Sequence, residues 1–345
     1  MTLRDTICFD DVLLVPQKSD IHSRDEIDLH SSVGQKKFRL PIMSSPMDTV
    51  TESNMALAMF DSGGLGIIHR YNTAKEQCKI VRDMAVVLEE TSSTNINNIA
   101  AAIGTSSDFK LRAENLYECG ARILCIDVAH GHHALVERCI KTLRDQFADT
   151  VTIVAGNVAT PEAYKDLTLW GADAVRIGIG GGSICSTRIQ TGHGVPTLQS
   201  VLDCRDAADA AIIADGGIKT AGDIVKSLAA GADMVMLGSM LAGTDETPGE
   251  VFQASDNKQY KVYRGMASPE AQIAWRGKAR SLEGISTTVP YKGKVGDILH
   301  KLERNIKSGL SYTGARNLKE LRSKAVFVKQ TSSGLLESRT HILNR

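Results

Sequence analysis

Eight short apolar runs, separated for the most part by amphipathic stretches, are the feature of this chain that most restricts its fold. They lie at Pro41–Ser45, Leu65–His69, Ile99–Gly104, Arg122–Asp127, Val151–Ala155, Ala174–Gly178, Ala211–Ala214 and Met234–Gly238. The runs are nearly continuous rather than alternating, the pattern of strands covered on both faces. Helical spacing fills intervening segments such as Asp108–Cys119, Ala134–Phe147, Pro161–Trp170 and Thr220–Ala230. Strand alternating with helix implies βαβ units and a parallel sheet. One junction recurs. Cys119-Gly120-Ala121, Trp170-Gly171-Ala172 and Ala230-Gly231-Ala232 each end a helix just before a strand, where glycine takes the left-handed conformation that closes a helix. Eight strands and a reused turn predict an α/β fold, a (β/α)8 TIM barrel, as a single domain over residues 1–345.

Two stretches fall outside the repeat. Residues 179–196 form a glycine-rich loop after the sixth strand, and residues 243–297, after the eighth, lack steady periodicity and read as a flap. Long loops in compact domains are usually functional, and both follow the C-terminal ends of strands, where barrel enzymes keep their chemistry. A tail over residues 325–345 closes the chain. With 40 basic and 40 acidic residues there is no global field to recruit nucleic acid or an anionic membrane, so any phosphate needs a local site. No apolar run reaches the roughly 20 residues of a membrane span. Met1-Thr2-Leu3-Arg4-Asp5 offers no secretory leader. Seven cysteines, at positions 8, 78, 119, 125, 139, 185 and 204, form no close pair and predict free thiols in a reducing cytoplasm.

Three constellations carry chemistry. Strand seven ends in Asp215-Gly216-Gly217 and strand eight in Gly238-Ser239-Met240, the place where barrels bind phosphate on bare backbone N–H groups. Asp215 would repel phosphate, so a ribose hydroxyl is its better partner. The loop Gly178-Ile179-Gly180-Gly181-Gly182-Ser183-Ile184-Cys185-Ser186-Thr187-Arg188 sets a cysteine among glycines and hydroxyls beside an arginine, a setting suited to a nucleophile. A structural cysteine is the competing reading, and the carbonyls of this loop could instead circle a monovalent cation. His130-Gly131-His132-His133 has the spacing of a metal pair, but no matching acids stand at other strand ends, so it reads as lining of the site's mouth.

Taken together, Phe9-Asp10-Asp11-Val12-Leu13-Leu14-Val15-Pro16, Ser44-Ser45-Pro46-Met47-Asp48-Thr49-Val50, the Cys185 loop, the Asp215 turn and Tyr263-Arg264-Gly265-Met266 resemble the IMP dehydrogenase/GMP reductase family from residue 8 to about 341. Arg70–Leu88 runs straight on where dehydrogenases insert regulatory CBS modules, and Ala267–Leu282 lacks their water-activating Arg-Tyr pair. Arg280-Ser281-Leu282-Glu283-Gly284, Ser23-Arg24, Gly104-Thr105 and Ile126-Asp127-Val128-Ala129 look like the reductase. Gly238-Ser239-Met240 and the tail Gly334-Leu335-Leu336-Glu337-Ser338 look more like the dehydrogenase. Gly181 replaces a usual proline and Ser186 a usual threonine.

The resemblance implies a purine mononucleotide, GMP or IMP, as ligand and an NADPH-dependent conversion of GMP to IMP and ammonia. Cys185 would be the nucleophile, with Thr187 and Glu283 as proton relay. Ser45, Asp215, Gly216, Gly217, Gly238, Ser239, Tyr263, Gly265, Met266, Ala267, Arg280 and Gly284 would bind substrate. Ser23, Arg24, Arg70, Asp127, Val128, Ala129, Ile179 and Gly180 would bind the cofactor, with Arg24, Arg70 and Arg280 as candidates for its 2′-phosphate. Carbonyls of Gly180, Gly182 and Cys185, beside Arg188, would hold potassium, with Glu337 of a neighbouring subunit an open question, and a cytoplasmic homotetramer is expected. Three alternatives stand beside this: an IMP dehydrogenase without CBS modules that uses NAD, an FMN-dependent barrel, and a nucleotide-binding pseudoenzyme.

Overall fold

The computed structural model describes residues 3–90, 98–255, 257–279, 282–338 and 340. Each apolar run is a strand: β1 Ile42–Ser44, β2 Leu65–Ile68, β3 Ala100–Ile103, β4 Ile123–Asp127, β5 Thr152–Val158, β6 Ala174–Ile177, β7 Ala211–Asp215 and β8 Met234–Leu237. All eight pair in parallel with their chain neighbours, and β8 closes on β1 through Val235↔Ile42 and Met236↔Met43. The helices that follow are α1 Ser53–Asp61, α2 Ala74–Glu90, α3 Phe109–Glu118, α4 Ala134–Phe147, α5 Pro161–Trp170, α6 Thr197–Cys204, α7 Ala221–Ala230 and α8 Val295–Thr313. The chain is therefore a (β/α)8 barrel.

Period-two alternation sorts the strand residues into two cores. Met43, Ile67, Ala100, Ile123, Cys125, Val154, Ala174, Ile213, Met234 and Met236 fill the barrel interior, while Ile42, Ala101, Leu124, Val175 and Val235 join the layer under the helices. The antiparallel pair Ser31–Val33 and Lys36–Phe38 adds Val33 and Phe38 to the inner core. The helix-to-strand turns are as the glycines require. At Gly231, φ is +125°, and the N–H groups of Gly231 and Ala232 donate back to Leu228 and Ser227 carbonyls at 3.3 and 3.0 Å. Gly120 and Gly171 repeat this at +113° and +112°.

The 243–297 stretch is more ordered than its sequence suggests. Phe252–Gln253, Gln259–Arg264 and Ser286–Pro290 make a three-stranded antiparallel sheet, with helix Pro269–Arg276 between the last two strands. The first two strands form a local hairpin, but pairs between the last two, such as Tyr263↔Thr287, join residues far apart in the chain, which a local pattern does not announce. The tail strand Phe327–Lys329 pairs antiparallel with Val12–Leu14. Among the described residues no helix is long and apolar enough to cross a membrane.

Candidate active site

The C-terminal ends of the strands open into a cavity of about 350 Å³, within the usual range for small-ligand sites. The inward alternation that fills the barrel continues to its rim. Ile123-x-Cys125-x-Asp127, Ala174-x-Arg176 and Ile213-x-Asp215 each place a charged group one step above the apolar interior.

Half-buried Cys185 lines the cavity on the loop after β6. Its N–H donates to the Gly182 carbonyl at 3.1 Å, and it bridges to Gly284 of the flap. Ser186 N–H donates to the Glu283 carbonyl at 2.9 Å and Ile285 N–H to the Ile184 carbonyl at 3.1 Å. This zipper joins two segments that are distant in sequence and so delivers Glu283 to the cysteine. The Cys185 thiol lies 3.2 Å from Thr187 Oγ1, which donates to Glu283 Oε2 at 2.9 Å. Thiol, hydroxyl and carboxylate form one continuous hydrogen-bonded chain.

At the end of the adjoining strand β7, Asp215 Oδ2 accepts from Asn157 Nδ2 at 2.8 Å and from the Arg176 guanidinium at 2.9 Å. Gly178 makes this approach feasible, since a Cβ there would lie 1.9 Å from the Asp215 carbonyl oxygen. Arg176 also donates to Asp127 Oδ1 at 2.7 Å, and Arg70 stands 3.4 Å from the same carboxylate. Burial alone would raise the Asp127 carboxyl, but the charges of Arg176 and Arg70 outweigh it and hold it below the usual range. Burial likewise works against charge on Arg176, and the flanking carboxylates reverse that, keeping it firmly protonated.

Gly216 and Gly217 after β7 and Gly238 and Ser239 after β8 line the same cavity. The Tyr263 phenol sits beside them, close enough that a Cβ on Gly238 would come within 2.9 Å of its oxygen. Burial pushes that phenol up to about 12, so near neutral pH its O–H is a donor. The flap strand carrying Tyr263 is pinned to the loop after β1: Arg264 Nε donates to Asp48 Oδ2 at 2.9 Å, and Arg264 N–H donates to Thr49 Oγ1 at 3.2 Å. A stacked pair, Tyr71 on Trp275 at 4.3 Å, ties the β2 loop to the flap helix, with the Arg70 guanidinium 5.3 Å from the Tyr71 ring.

The cavity wall brings together Cys185, Thr187, Glu283, Ser45, Asp215, Gly216, Gly217, Gly238, Ser239, Tyr263, Gly265, Met266, Ala267, Gly284, Arg70, Asp127, Val128, Ala129, Ile179, Gly180 and Gly182. Ser23 and Arg24 lie elsewhere, in a groove with His300, Arg304 and Lys307. The Arg188 guanidinium is outside the cavity, donating to the carbonyls of Val195 at 2.7 Å and Ile179 at 3.3 Å. Arg280 lies outside the described residues. The histidine cluster does not line the mouth: His133 caps α4 through Leu135 N–H at 3.0 Å, and His132 pairs with Asp166 at 2.8 Å. Sequence reading missed Asn157, Arg176, Met47 and Tyr71, all in the wall. Arg176 carried a signal, for a charge inside the apolar run Ala174–Ile177 is tolerated only when paired.

A family model described as IMP dehydrogenase / GMP reductase domain matches residues 6–341. An inosine-5′-monophosphate dehydrogenase of Nitrosopumilus maritimus (strain SCM1) is 33% identical, the alignment covering 99% of each chain. One from Staphylococcus aureus (strain Mu50 / ATCC 700699) is 34% identical, over 98% of this chain and 96% of its own. Both alignments run to 473 positions against 345 residues here, so these relatives carry residues without a counterpart in this chain. A cysteine-to-alanine variant of GMP reductase from Trypanosoma brucei, solved in complex with guanosine 5′-monophosphate, superposes with a TM-score of 0.91 at 30% identity, over 99% of this chain and 98% of that one. A barrel of this shape, a cysteine loop zipped to its flap and matches along nearly the whole length have one explanation: the chain belongs to the IMP dehydrogenase/GMP reductase family of oxidoreductases.

Proposed function

We propose that this protein is a GMP reductase, converting GMP to IMP and ammonia with NADPH. The observation that carries the reading is the Cys185–Thr187–Glu283 proton path. The thiol proton passes through the Thr187 hydroxyl to the Glu283 carboxylate, leaving a thiolate to attack C2 of the purine. The same proton then returns through Thr187 to the 2-amino nitrogen, which departs as ammonia, and a thioimidate links Cys185 to C2. NADPH, when bound, supplies the hydride that reduces C2. Cys185 is then released as thiolate with IMP, and it takes its proton back from solvent.

The remaining wall residues would hold the nucleotide. Asp215 has one oxygen engaged by Asn157 and Arg176, so its other oxygen suits ribose hydroxyls. Gly216, Gly217, Gly238 and Ser239 offer backbone N–H groups and Tyr263 its hydroxyl for the phosphate. Ser45, Gly265, Met266, Ala267 and Gly284 would frame the base, with Arg280 joining them from the flap. Asp127, Val128, Ala129, Ile179 and Gly180 would face the cofactor, with Arg70 as its guanidinium partner; Ser23 and Arg24 do not reach this cavity within their own chain. Carbonyls of Gly180, Gly182 and Cys185, beside Arg188, would hold potassium. The Gly182 carbonyl also accepts the Cys185 N–H at 3.1 Å, and Arg188 donates to the Ile179 and Val195 carbonyls at 3.3 and 2.7 Å; no step runs through the ion. A cytoplasmic homotetramer is part of the proposal, testable by light scattering and fractionation.

The names of the curated relatives favour a second reading, oxidation of IMP with NAD. One paired assay decides between them. Ammonia formed from GMP plus NADPH supports the reductase; NADH formed from IMP plus NAD, with no ammonia from GMP, overturns it.

A further inference from the structure

We infer that Arg176 is a positioning residue through which the ribose end and the cofactor end of the cavity sense each other's occupancy. The inference rests on the proposed function, since it takes Asp215 as the partner of ribose and Asp127 as part of the cofactor's wall.

Arg176 stands in the middle of β6 and is only 6% exposed. A guanidinium in that position persists only where carboxylates and further hydrogen bonds satisfy it. Two carboxylates do so, one from the adjoining strand β7 and one from β4, two strands away on the other side. Its NH1 group donates to Asp127 Oδ1 of β4 at 2.7 Å, while NH2 and Nε donate to Asp215 Oδ2 of β7 at 2.9 and 3.3 Å. Among the described residues Arg176 alone bonds both carboxylates. Arg70 stands 3.4 Å from the other oxygen of Asp127, and Asn157 shares Asp215 Oδ2 with Arg176 at 2.8 Å, so charge alternates along Arg70, Asp127, Arg176 and Asp215.

This arrangement transmits displacement. The guanidinium fork is planar and stiff, so a shift of one carboxylate towards a ligand tilts the donors presented to the other. Within a close-packed strand the side chain has little room to absorb that tilt. A ligand that fixes Asp215 therefore fixes Asp127, and the reverse holds by linkage. Lysine would keep the charge but not the fork.

The test is calorimetric titration of GMP into wild-type protein with and without saturating NADP+, a pair that cannot turn over. NADP+ should shift the GMP dissociation constant by roughly 5–150-fold, and GMP should shift that of NADP+ by the same factor. In Arg176→Gln the factor should fall to within about twofold of one, while circular dichroism shows the barrel intact. Arg176→Lys and Asp127→Asn, each of which breaks the bridge while leaving a polar group in place, should lose the same coupling if the glutamine variant does not fold. A merely structural arginine would lower the melting temperature and leave the coupling factor untouched, and that result in any folded variant overturns the inference. A wild-type factor of one does the same. Failure of wild-type protein to bind GMP at all would overturn the functional reading together with this inference.

Discussion

A thiol, a hydroxyl and a carboxylate in series fix what Cys185 is able to do. Replacing Cys185 with alanine should abolish turnover yet leave GMP binding within a few-fold, because the groups proposed for ribose and phosphate stand on β7, β8 and the flap. Equilibrium titration beside the ammonia assay checks this, and mass spectrometry of quenched wild-type enzyme should find the purine nucleotide attached to Cys185. Glu283→Gln keeps the hydrogen-bonding shape but cannot store a proton. It should slow ammonia release by about 10²–10⁴-fold, measured in a single turnover, with GMP affinity little changed. Asp127 makes a separate prediction. Its carboxyl is held low in the folded protein, so its contribution to stability is complete above the unfolded value of about 3.9 and is lost as pH falls through the lower folded value. Asp127→Asn should therefore flatten the acid limb of the stability profile in urea titrations from pH 5 downward.

At the scale of elements, caps and pins hold the site's supports in place. Thr220 Oγ1 accepts the Asp223 N–H at 3.1 Å, and Asp223 returns the bond to the Thr220 N–H at 3.0 Å, so the helix after β7 starts at a defined residue. Thr220→Ala should cost about 1 kcal/mol, read as a lower denaturation midpoint with unchanged slope. Gly231→Ala should cost more, because its φ of +125° strains an alanine and the new Cβ would meet Arg205 Cβ at 2.6 Å. The Asp48–Arg264 pin acts on the flap alone. Asp48→Asn should speed tryptic cleavage between residues 257 and 279 and raise KM for GMP, while the barrel's own melting changes little.

Across the whole molecule the segments towards the two chain ends support the side of the cavity proposed for phosphate. The tail strand pairs with Val12–Leu14, and Gln330 N–H donates to the Asp11 carbonyl at 2.9 Å. The adjoining Phe9 carbonyl takes the Lys226 ammonium at 2.8 Å, and the Phe9 ring comes within 3.7 Å of where a Cβ on Gly217 would stand. Truncation after Val326 should therefore raise KM for GMP several-fold with a smaller effect on kcat. Steady-state kinetics of the truncated and full chains makes that comparison.

Barrel, strand order and turns were legible in the chain because their causes are local: apolar runs of strand length, and glycines where a helix must reverse before a strand. Cys185 and Asp215 were legible too, through the company they keep in their loops. Tertiary structure alone decided which distant segments meet. The family resemblance named Glu283 as Thr187's partner, but nothing in the local pattern announces it, since the backbone pairs that join them link the cysteine loop to the residues just before Ser286–Pro290, a strand whose partner Gln259–Arg264 lies more than twenty residues away. Likewise Arg176 reads as an oddity within β6 until barrel closure aims Asp127 of β4 and Asp215 of β7 at it. Short-range patterning sets strands and turns, but the pairing of charges across a barrel depends on a geometry that exists only once the sheet has closed.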